Sequence, residues 1–273
     1  MGSDPTGHPS LRIEEVDPGV TLVTLARPER RNALDTTTLD ELARALDALD
    51  ARAVVLTGNG PAFCAGYDLR SIAGPHWEQS AEQLVAHPRH AVFDVMERSA
   101  FPIIAAIDGA TLGGGLELAS CCDARVATRS AYFAIPAGDL GLVYSDTGVR
   151  RFASVWGGSL TREMLLLGRR VDADRAWQAG AIAELTPDGT HVETALQLAR
   201  RAARLAPRAT ASNKRIIGGT LTLTPAPAPA GPSLDADALR QACFGPDGEL
   251  RAGIDAFLRG RAVRPIDDTR RTP

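Results

Sequence analysis

Two glycine-containing segments of this 273-residue chain have a composition and spacing that favour chemistry at a ligand oxygen. The first, Phe63-Cys64-Ala65-Gly66-Tyr67-Asp68-Leu69, follows a predicted buried strand and a tight turn. The second, Ile107-Asp108-Gly109-Ala110-Thr111-Leu112-Gly113-Gly114-Gly115-Leu116-Glu117, runs from a predicted strand into a helix N-terminus. Glycine lets a backbone N–H approach a ligand closely. Two such N–H groups that point at one oxygen form an oxyanion hole, and a helix N-terminus adds a favourable field.

Both segments are open to other interpretations. Each can be an ordinary strand-to-helix turn, because glycine-rich turns are common. The second segment can also be interpreted as a phosphate-binding loop. Its spacing is not G-x-G-x-x-G, and no Gly-Lys-Ser/Thr follows it. The phosphate loop is therefore the weaker of these interpretations.

Alternating strands and helices must position the two segments. Two short β-rich runs flank the turn Asp17-Pro18-Gly19 and predict a hairpin. Thr38-Leu39-Asp40-Glu41 fits a capping box for the first helix. The predicted elements are strands at 11–16, 20–25, 53–56, 103–107 and 124–127, and helices at 35–49, about 82–96 and from the second glycine segment to about 122. Strands that alternate with helices predict an α/β layered core.

The last third of the chain has a different pattern. From Leu160 onward the apolar spacing is almost wholly helical, with Gly180 placed as a helix C-cap. The Thr/Pro/Ala-rich segment at 218–232 predicts an extended linker. A final helix is predicted over 249–259, with Gly260 just past it. We therefore expect a core over 11–205 and a helical C-terminal module over 206–273.

Composition excludes several classes of protein. Thirty Lys and Arg against thirty-three Asp and Glu give a net charge of −3, with no basic stripe that would suit nucleic acid. The apolar stretches fall short of the roughly 20 residues that a membrane span needs, and the first ten residues lack the pattern of a secretory signal. The four cysteines, Cys64, Cys121, Cys122 and Cys243, show neither disulfide nor zinc spacing. We expect a cytoplasmic protein without a metal, a nucleic-acid partner or a membrane partner.

The two segments together resemble the crotonase superfamily, also called the enoyl-CoA hydratase/isomerase family. The resemblance is carried by Ala65-Gly66-Tyr67-Asp68-Leu69 paired with Gly113-Gly114-Gly115-Leu116-Glu117. Further similar pieces, in the family's order between about residue 11 and residue 265, are Arg27-Pro28 with Asn32-Ala33-Leu34, Cys122-Asp123, Gly168 leading to 173–180, and 253–261. The segment at 218–232 looks like an insertion into that pattern.

The resemblance implies an α/β fold of repeated ββα units stacked into a spiral, and a homotrimer or homohexamer. It also implies an acyl-CoA thioester substrate, with coenzyme A as part of the substrate and no separate cofactor. By motif position, the amides of Tyr67 and Gly114 would polarise the thioester carbonyl and stabilise an enolate. The substrate-binding positions implied by the same motifs are Ala65, Gly66, Asp68, Leu69, Gly113, Pro136 and Ala137.

The acid–base groups depart from the family pattern. Family hydratases use two glutamates, and the first falls at Glu117, where the alternative is a Glu on the helix surface. The second normally follows a proline, but Pro136 is followed by Ala137, which cannot transfer a proton. Asp139 and Asp146 lie nearby, and Asp146 is equally consistent with an N-cap for the next helix.

Three basic residues, Arg27, Arg30 and Lys214, lie where the family places contacts to CoA phosphates, although a solvated surface charge is the simpler interpretation of each. A missing second glutamate favours isomerisation, or another single-base reaction, over hydration. Either Glu117 or Asp146 would be the base. The alternatives are a non-catalytic acyl-CoA-binding protein with this fold and a nucleotide-binding α/β module.

Overall fold

A computed structural model describes residues 10–72, 91–222 and 249–260 of the chain. Its strands are β1 (Leu11–Asp17), β2 (Val20–Leu25), β3 (Ala53–Gly58), β4 (Ala62–Cys64), β5 (Ile103–Ile107), β6 (Ala110–Leu112), β7 (Ala124–Thr128), β8 (Tyr132–Ala134), β9 (Val171–Asp172) and β10 (Glu184–Thr186). Its α-helices are α1 (Thr36–Ala48), α2 (Ala91–Arg98), α3 (Gly114–Ser120), α4 (Ala137–Leu140), α5 (Asp146–Leu167), α6 (Ala173–Gln178), α7 (His191–Ala203), α8 (Pro207–Thr222) and α9 (Glu249–Leu258).

The strands form two sheets, and one repeated unit contributes a strand to each of them. One sheet has six strands in the order β1-β2-β3-β5-β7-β10, and the other has four in the order β4-β6-β8-β9. Each of the pairs β3 and β4, β5 and β6, and β7 and β8 gives its first strand to the large sheet and its second to the small one. Strands from these three pairs run parallel to one another within each sheet, β3 with β5 and β5 with β7 in the large one, and β4 with β6 and β6 with β8 in the small one. This confirms the predicted spiral of ββα units.

The large sheet is covered on both faces, which explains why its central strands are continuous apolar runs. All five residues of β5 are buried, as are the first five of β3. One face packs against Ala195, Leu196 and Ala199 of α7. The other face belongs to the main core, which also takes in the apolar stripes of α1 and α2. This core fixes the ends of β4 and β6, where the two glycine segments lie.

The structure corrects three sequence predictions. The N-cap of α1 is Asp35, whose side chain accepts a hydrogen bond from the Thr38 amide, so the capping box at Thr38 was wrong. Residues Ala110–Leu112 form strand β6 inside the glycine-rich segment, since they pair with β4 and β8. Helix α8 continues to Thr222, so the predicted linker does not begin at residue 218. The rest of that linker, the helical prediction over 82–90 and Cys243 lie outside the described residues.

The hairpin and the final helix are confirmed. Strands β1 and β2 pair antiparallel across the turn at Asp17. Leu250 and Ile254 of α9 are buried in the main core, so this helix packs on the spiral. The domain division at residue 205 stays a prediction. Within the described residues, no helix is both long and apolar enough to cross a membrane.

Candidate active site

The first turn, after β4, is held by the backbone around Leu34. The Leu34 amide donates to the Gly66 carbonyl at 2.8 Å, and the Asp68 amide donates to the Leu34 carbonyl at 2.8 Å. In such a parallel bridge the residue between them, Tyr67, directs its own N–H to the opposite side. Gly66 has a φ of 94°, which glycine adopts without strain. The turn therefore aims the Tyr67 amide away from Leu34.

The second turn joins β6 to α3 and lies against the first. Gly113 has a φ of 50°, and Gly114 is the first residue of α3, where an amide has no partner within the helix. A Cβ atom on Gly66 would lie 3.4 Å from the Gly114 amide nitrogen and 2.8 Å from the Leu112 carbonyl oxygen. A Cβ on Gly115 would meet the Cys64 sulfur at 2.7 Å. The glycines thus let the two predicted turns touch.

The Tyr67 side chain folds back over the start of α3. A Cβ atom on Gly114 would lie 2.9 Å from Cζ of the Tyr67 ring. Burial raises the pKa of the Tyr67 phenol well above its usual value, so the ring carries a neutral hydroxyl. Burial raises the pKa of Glu117, and a hydrogen bond between Tyr67 and Glu117 partly opposes that rise. The aromatic ring therefore connects the turn to the carboxylate.

Glu117 points into the protein. It is 1% exposed, so the alternative of a helix-surface glutamate was wrong. Burial raises the pKa of Glu117 above its ordinary value, while the charge of Arg151 and its hydrogen bond oppose that rise. Arg151 Nη1 donates to Glu117 Oε1 at 3.0 Å. Gly148, in the first turn of α5, leaves room for the carboxylate, because a Cβ there would lie 3.2 Å from Oε1.

Tyr144 lies on the other side of the same site. Its ring packs edge-on against Phe152, with ring centroids 5.2 Å apart. A Cβ atom on Gly113 would lie 3.2 Å from the Tyr144 hydroxyl. Burial, followed by the charge of Glu117, raises the pKa of Tyr144 well above its usual range. Two neutral phenols therefore flank one buried carboxylate.

The other two candidate carboxylates, Asp146 and Asp139, lie at the surface. Asp146 is the first residue of α5, and its side chain is 59% exposed and pairs with Arg150 at 3.0 Å. Ser145 is the N-cap, accepting from the Gly148 amide, so the N-cap prediction for Asp146 was wrong. Asp139 is exposed on α4. Ala137, next to Pro136 at the start of α4, is buried at 4% exposure.

Two of the three basic candidates have structural roles. Arg27 is 7% exposed and pairs with Asp35 at 2.9 Å and Asp68 at 3.3 Å. Lys214 Nζ donates to Asp123 at 2.7 Å, and also to the Ser99 hydroxyl and the Phe101 carbonyl. Their contacts thus support the folded chain and do not support a role in binding CoA phosphates.

Four further predicted positions are Arg30, Ala65, Asp68 and Leu69. Arg30 ends a short 3-10 helix and is partly buried, and its contact with a CoA phosphate stays a prediction. The Ala65 amide donates to the Arg31 carbonyl at 3.0 Å. Asp68 is buried against Arg27, and Leu69 packs against the main core. The Ala65 amide and the Asp68 and Leu69 side chains hold the first turn against the rest of the chain.

Replacing Arg27 with Gln should lower the free energy of unfolding by about 3 kcal/mol, because it leaves the buried Asp68 carboxylate unpaired. Urea unfolding measures this change. Arg30→Gln is the matched control and should keep the unfolding free energy while weakening acyl-CoA binding. Unchanged stability with weakened acyl-CoA binding in Arg27→Gln would instead assign Arg27 to the ligand.

The fold and these turns define an α/β protein whose site combines two neighbouring backbone amides with a buried carboxylate. Residues 15–261 match the model of the enoyl-CoA hydratase/isomerase family. The 2,3-dehydroadipyl-CoA hydratase of Escherichia coli is 35% identical over 202 residues, covering 72% of this chain and 78% of the relative. The chain belongs to the enoyl-CoA hydratase/isomerase family, within the crotonase superfamily.

Solved structures agree on the fold. A monofunctional enoyl-CoA isomerase from M. smegmatis is 29% identical, with a TM-score of 0.66, and the match covers 84% of this chain and 98% of that one. A methylmalonyl-CoA decarboxylase has a TM-score of 0.82 over 96% of this chain and all of that one, at 19% identity. The second likeness shows the spiral fold alone. Family membership makes the chain an enzyme of this class.

Proposed function

We propose that the chain binds an acyl-CoA thioester, removes a proton from its α-carbon with Glu117 and returns that proton elsewhere on the acyl chain. Isomerisation, or another single-base reaction through an enolate, is favoured over hydration. The observation that carries this proposal is the placement of one buried carboxylate, Glu117, beside the two amide-bearing turns, with Ala137 where a second acid is expected.

The two turns supply the electrophilic part of the reaction. The amides of Tyr67 and Gly114 would donate to the thioester oxygen, where negative charge collects as the α-proton leaves. Donors fixed by the fold need no reorganisation as the charge develops, and each is worth a factor of about 10²–10³ in rate. Gly66 lies close to the Gly114 amide, since a Cβ on Gly66 would lie 3.4 Å from that nitrogen, and this proximity of the two turns supports a shared target for the two donors.

Glu117 would act as base and then as acid. Its raised pKa suits both tasks, since a base whose pKa lies nearer the working pH also returns the proton more readily. The buried phenols of Tyr67 and Tyr144 are neutral at ordinary pH and would not compete as bases. Asp146 is the less suitable base, because its carboxylate is exposed and paired with Arg150.

A comparison of two substrates tests the reaction class. In D2O the double bond of a 3-enoyl-CoA should move to the 2-position, with deuterium entering C4 of the product, where the proton is returned, and the α-carbon of recovered substrate. Crotonyl-CoA should be hydrated much more slowly. Hydration of crotonyl-CoA at the rate of a two-carboxylate enzyme, without isomerisation, would reject the proposed reaction. Tight acyl-CoA binding with neither reaction would favour a binding protein.

Ala137→Glu should raise the rate of crotonyl-CoA hydration by about tenfold or more, because a positioned acid–base group contributes about 10²–10⁴-fold. Ala137→Gln is the matched control, since it has the same size without a transferable proton. Asp146→Asn should leave both reactions almost unchanged. Equal rates in the Glu and Gln variants would show that residue 137 does not face the substrate.

The oligomeric state stays a proposal. A homotrimer or homohexamer would bury apolar side chains that this single chain exposes. Leu166 and Leu167 at the end of α5 are 74% and 68% exposed, and Trp177 of α6 is 51% exposed. Adjacent exposed apolar side chains such as those of Leu166 and Leu167 favour contact with another chain.

A further inference from the structure

Arg151, which the sequence analysis did not single out, contacts acidic side chains from two other helices. Its Nη1 donates to Glu117 Oε1 at 3.0 Å, and its Nε donates to Glu97 Oε1 at 2.6 Å. Asp94 lies 3.8 Å from Nη2, and the guanidinium carbon lies 5.0 Å from the centre of the Phe93 ring. The Arg151 side chain is 12% exposed, and its guanidinium joins the buried Glu117 carboxylate to the more exposed carboxylates of Glu97 and Asp94.

We propose that Arg151 is a positioning residue that fixes the Glu117 carboxylate through Oε1, and that Glu97 weakens this contact by sharing the same guanidinium. The planar guanidinium holds its donors in a rigid fork, so it sets the orientation of the carboxylate as well as its charge. The inference rests on the proposed function only where it takes Glu117 to be the base.

The surroundings of Glu117 define the charges that compete in this contact. Facing or lying near the carboxylate are Arg151 from α5, Glu97 and Asp94 from α2, Tyr67 from the first turn, Tyr144 from the loop before α5, and Cys121 from the end of α3. Among these named groups the guanidinium is the positive one. The thiol and the two phenols are neutral, because burial raises their pKa values.

The two partners of Arg151 act on Glu117 with opposite sign. Arg151 lowers the pKa of Glu117 through its charge and its hydrogen bond, while the charge of Glu97 raises it. Removing the guanidinium should therefore make Glu117 harder to ionise. Removing the Glu97 charge should make Glu117 easier to ionise, and it also leaves the guanidinium with fewer carboxylates to satisfy. A residue that only held the helices together would not give opposite shifts.

The test is an infrared titration of the substrate-free protein, in which the Glu117 carboxyl band is assigned by its loss in Glu117→Gln. Arg151→Gln should raise the pKa of Glu117 by about one to three units, the range expected for a neighbouring opposite charge. Arg151→Lys should raise it less, since the charge remains and the fork is lost. Glu97→Gln should lower it. Arg150→Gln, one residue along the same helix, is the matched control and should leave it unchanged.

Two outcomes would overturn the inference. One is an Arg151→Gln protein in which Glu117 titrates as in the native chain. The other is a Glu97→Gln protein in which the Glu117 titration stays in place or moves upward. If Arg151→Gln does not fold, the Glu97→Gln titration still tests the inference. Glu97 is 42% exposed, and its replacement leaves Arg151 and Glu117 paired.

A kinetic arm separates this inference from the proposed function. If Glu117 is the base, the acid limb of the pH profile for α-proton exchange should move with each titration, upward in Arg151→Gln and downward in Glu97→Gln. Shifted titrations without any exchange activity would keep the role of Arg151 and reject the proposed function. Exchange activity with unshifted titrations would keep the proposed function and reject the role of Arg151.

Discussion

Glu117→Gln should lose α-proton exchange and double-bond isomerisation by about 10²–10⁴-fold, the contribution of a positioned acid–base group. Glutamine keeps the size of the side chain and can still contact Arg151, but its amide cannot take up the proton. Glu117 is buried at 1% exposure beside the two turns, so no change of the outer surface accompanies the substitution. Turnover of a 3-enoyl-CoA and solvent deuterium uptake are the measurements.

Acyl-CoA affinity is the internal control for this variant. In the proposed binding mode the backbone amides and contacts to CoA supply most of the affinity, so the dissociation constant should stay nearly the same. Asp146→Asn serves as the matched control, since it removes a carboxylate that is exposed and paired with Arg150. Full activity in Glu117→Gln with loss in Asp146→Asn would move the base to Asp146.

Gly114→Pro should weaken polarisation of the bound thioester and slow turnover by about 10²–10³-fold, since it removes one oxyanion donor. Proline is tolerated at the first position of a helix, where Gly114 lies, so the loss of the N–H need not break α3. Its Cβ would however meet the Tyr67 ring at 2.9 Å. The substitution is therefore best made in a Tyr67→Ala background.

The matched comparison in that background is Gly114→Ala against Gly114→Pro. Both variants add a Cβ and both lack the Tyr67 ring, so they differ chiefly in the amide proton. The measurement is the absorption shift of a bound chromophoric enoyl-CoA, which reports polarisation of its carbonyl. The alanine variant should keep the shift and the proline variant should lose it. Equal shifts in two folded proteins would remove Gly114 from the oxyanion hole.

The two turns were predictable because their determinants are local, whereas Glu117 was singled out through the resemblance to the family. Gly66 and Gly113 adopt positive φ angles that favour glycine, and the spacing from Gly113 to Glu117 fixes the carboxylate one turn into α3. The alternation of apolar runs likewise predicted the β1–β2 hairpin and strands β3, β5 and β7. Local rules of backbone conformation and periodicity are sufficient for such features.

The remaining features depend on contacts between distant segments. Arg150 and Arg151 are adjacent and chemically identical, and the direction of their side chains differs by about 100° around the helix. Only the packing of α5 against α2 and α3 makes Arg151 the residue that meets Glu117. Arg27 pairs with Asp68, 41 residues away, so no local pattern distinguishes it from a surface charge. Ser145 and Asp146 are both good N-caps, and the loop geometry chooses Ser145.

The structure of the Glu117→Gln protein with a bound acyl-CoA would show the reacting atoms in place without turnover. We expect a thioester oxygen within hydrogen-bond distance of the Tyr67 and Gly114 amides, and an α-carbon against the side chain at residue 117. We also expect that the Asp146 carboxylate stays paired with Arg150 on the surface. A thioester oxygen bound away from both amides, or an α-carbon that faces Asp146 in place of residue 117, would contradict this expectation.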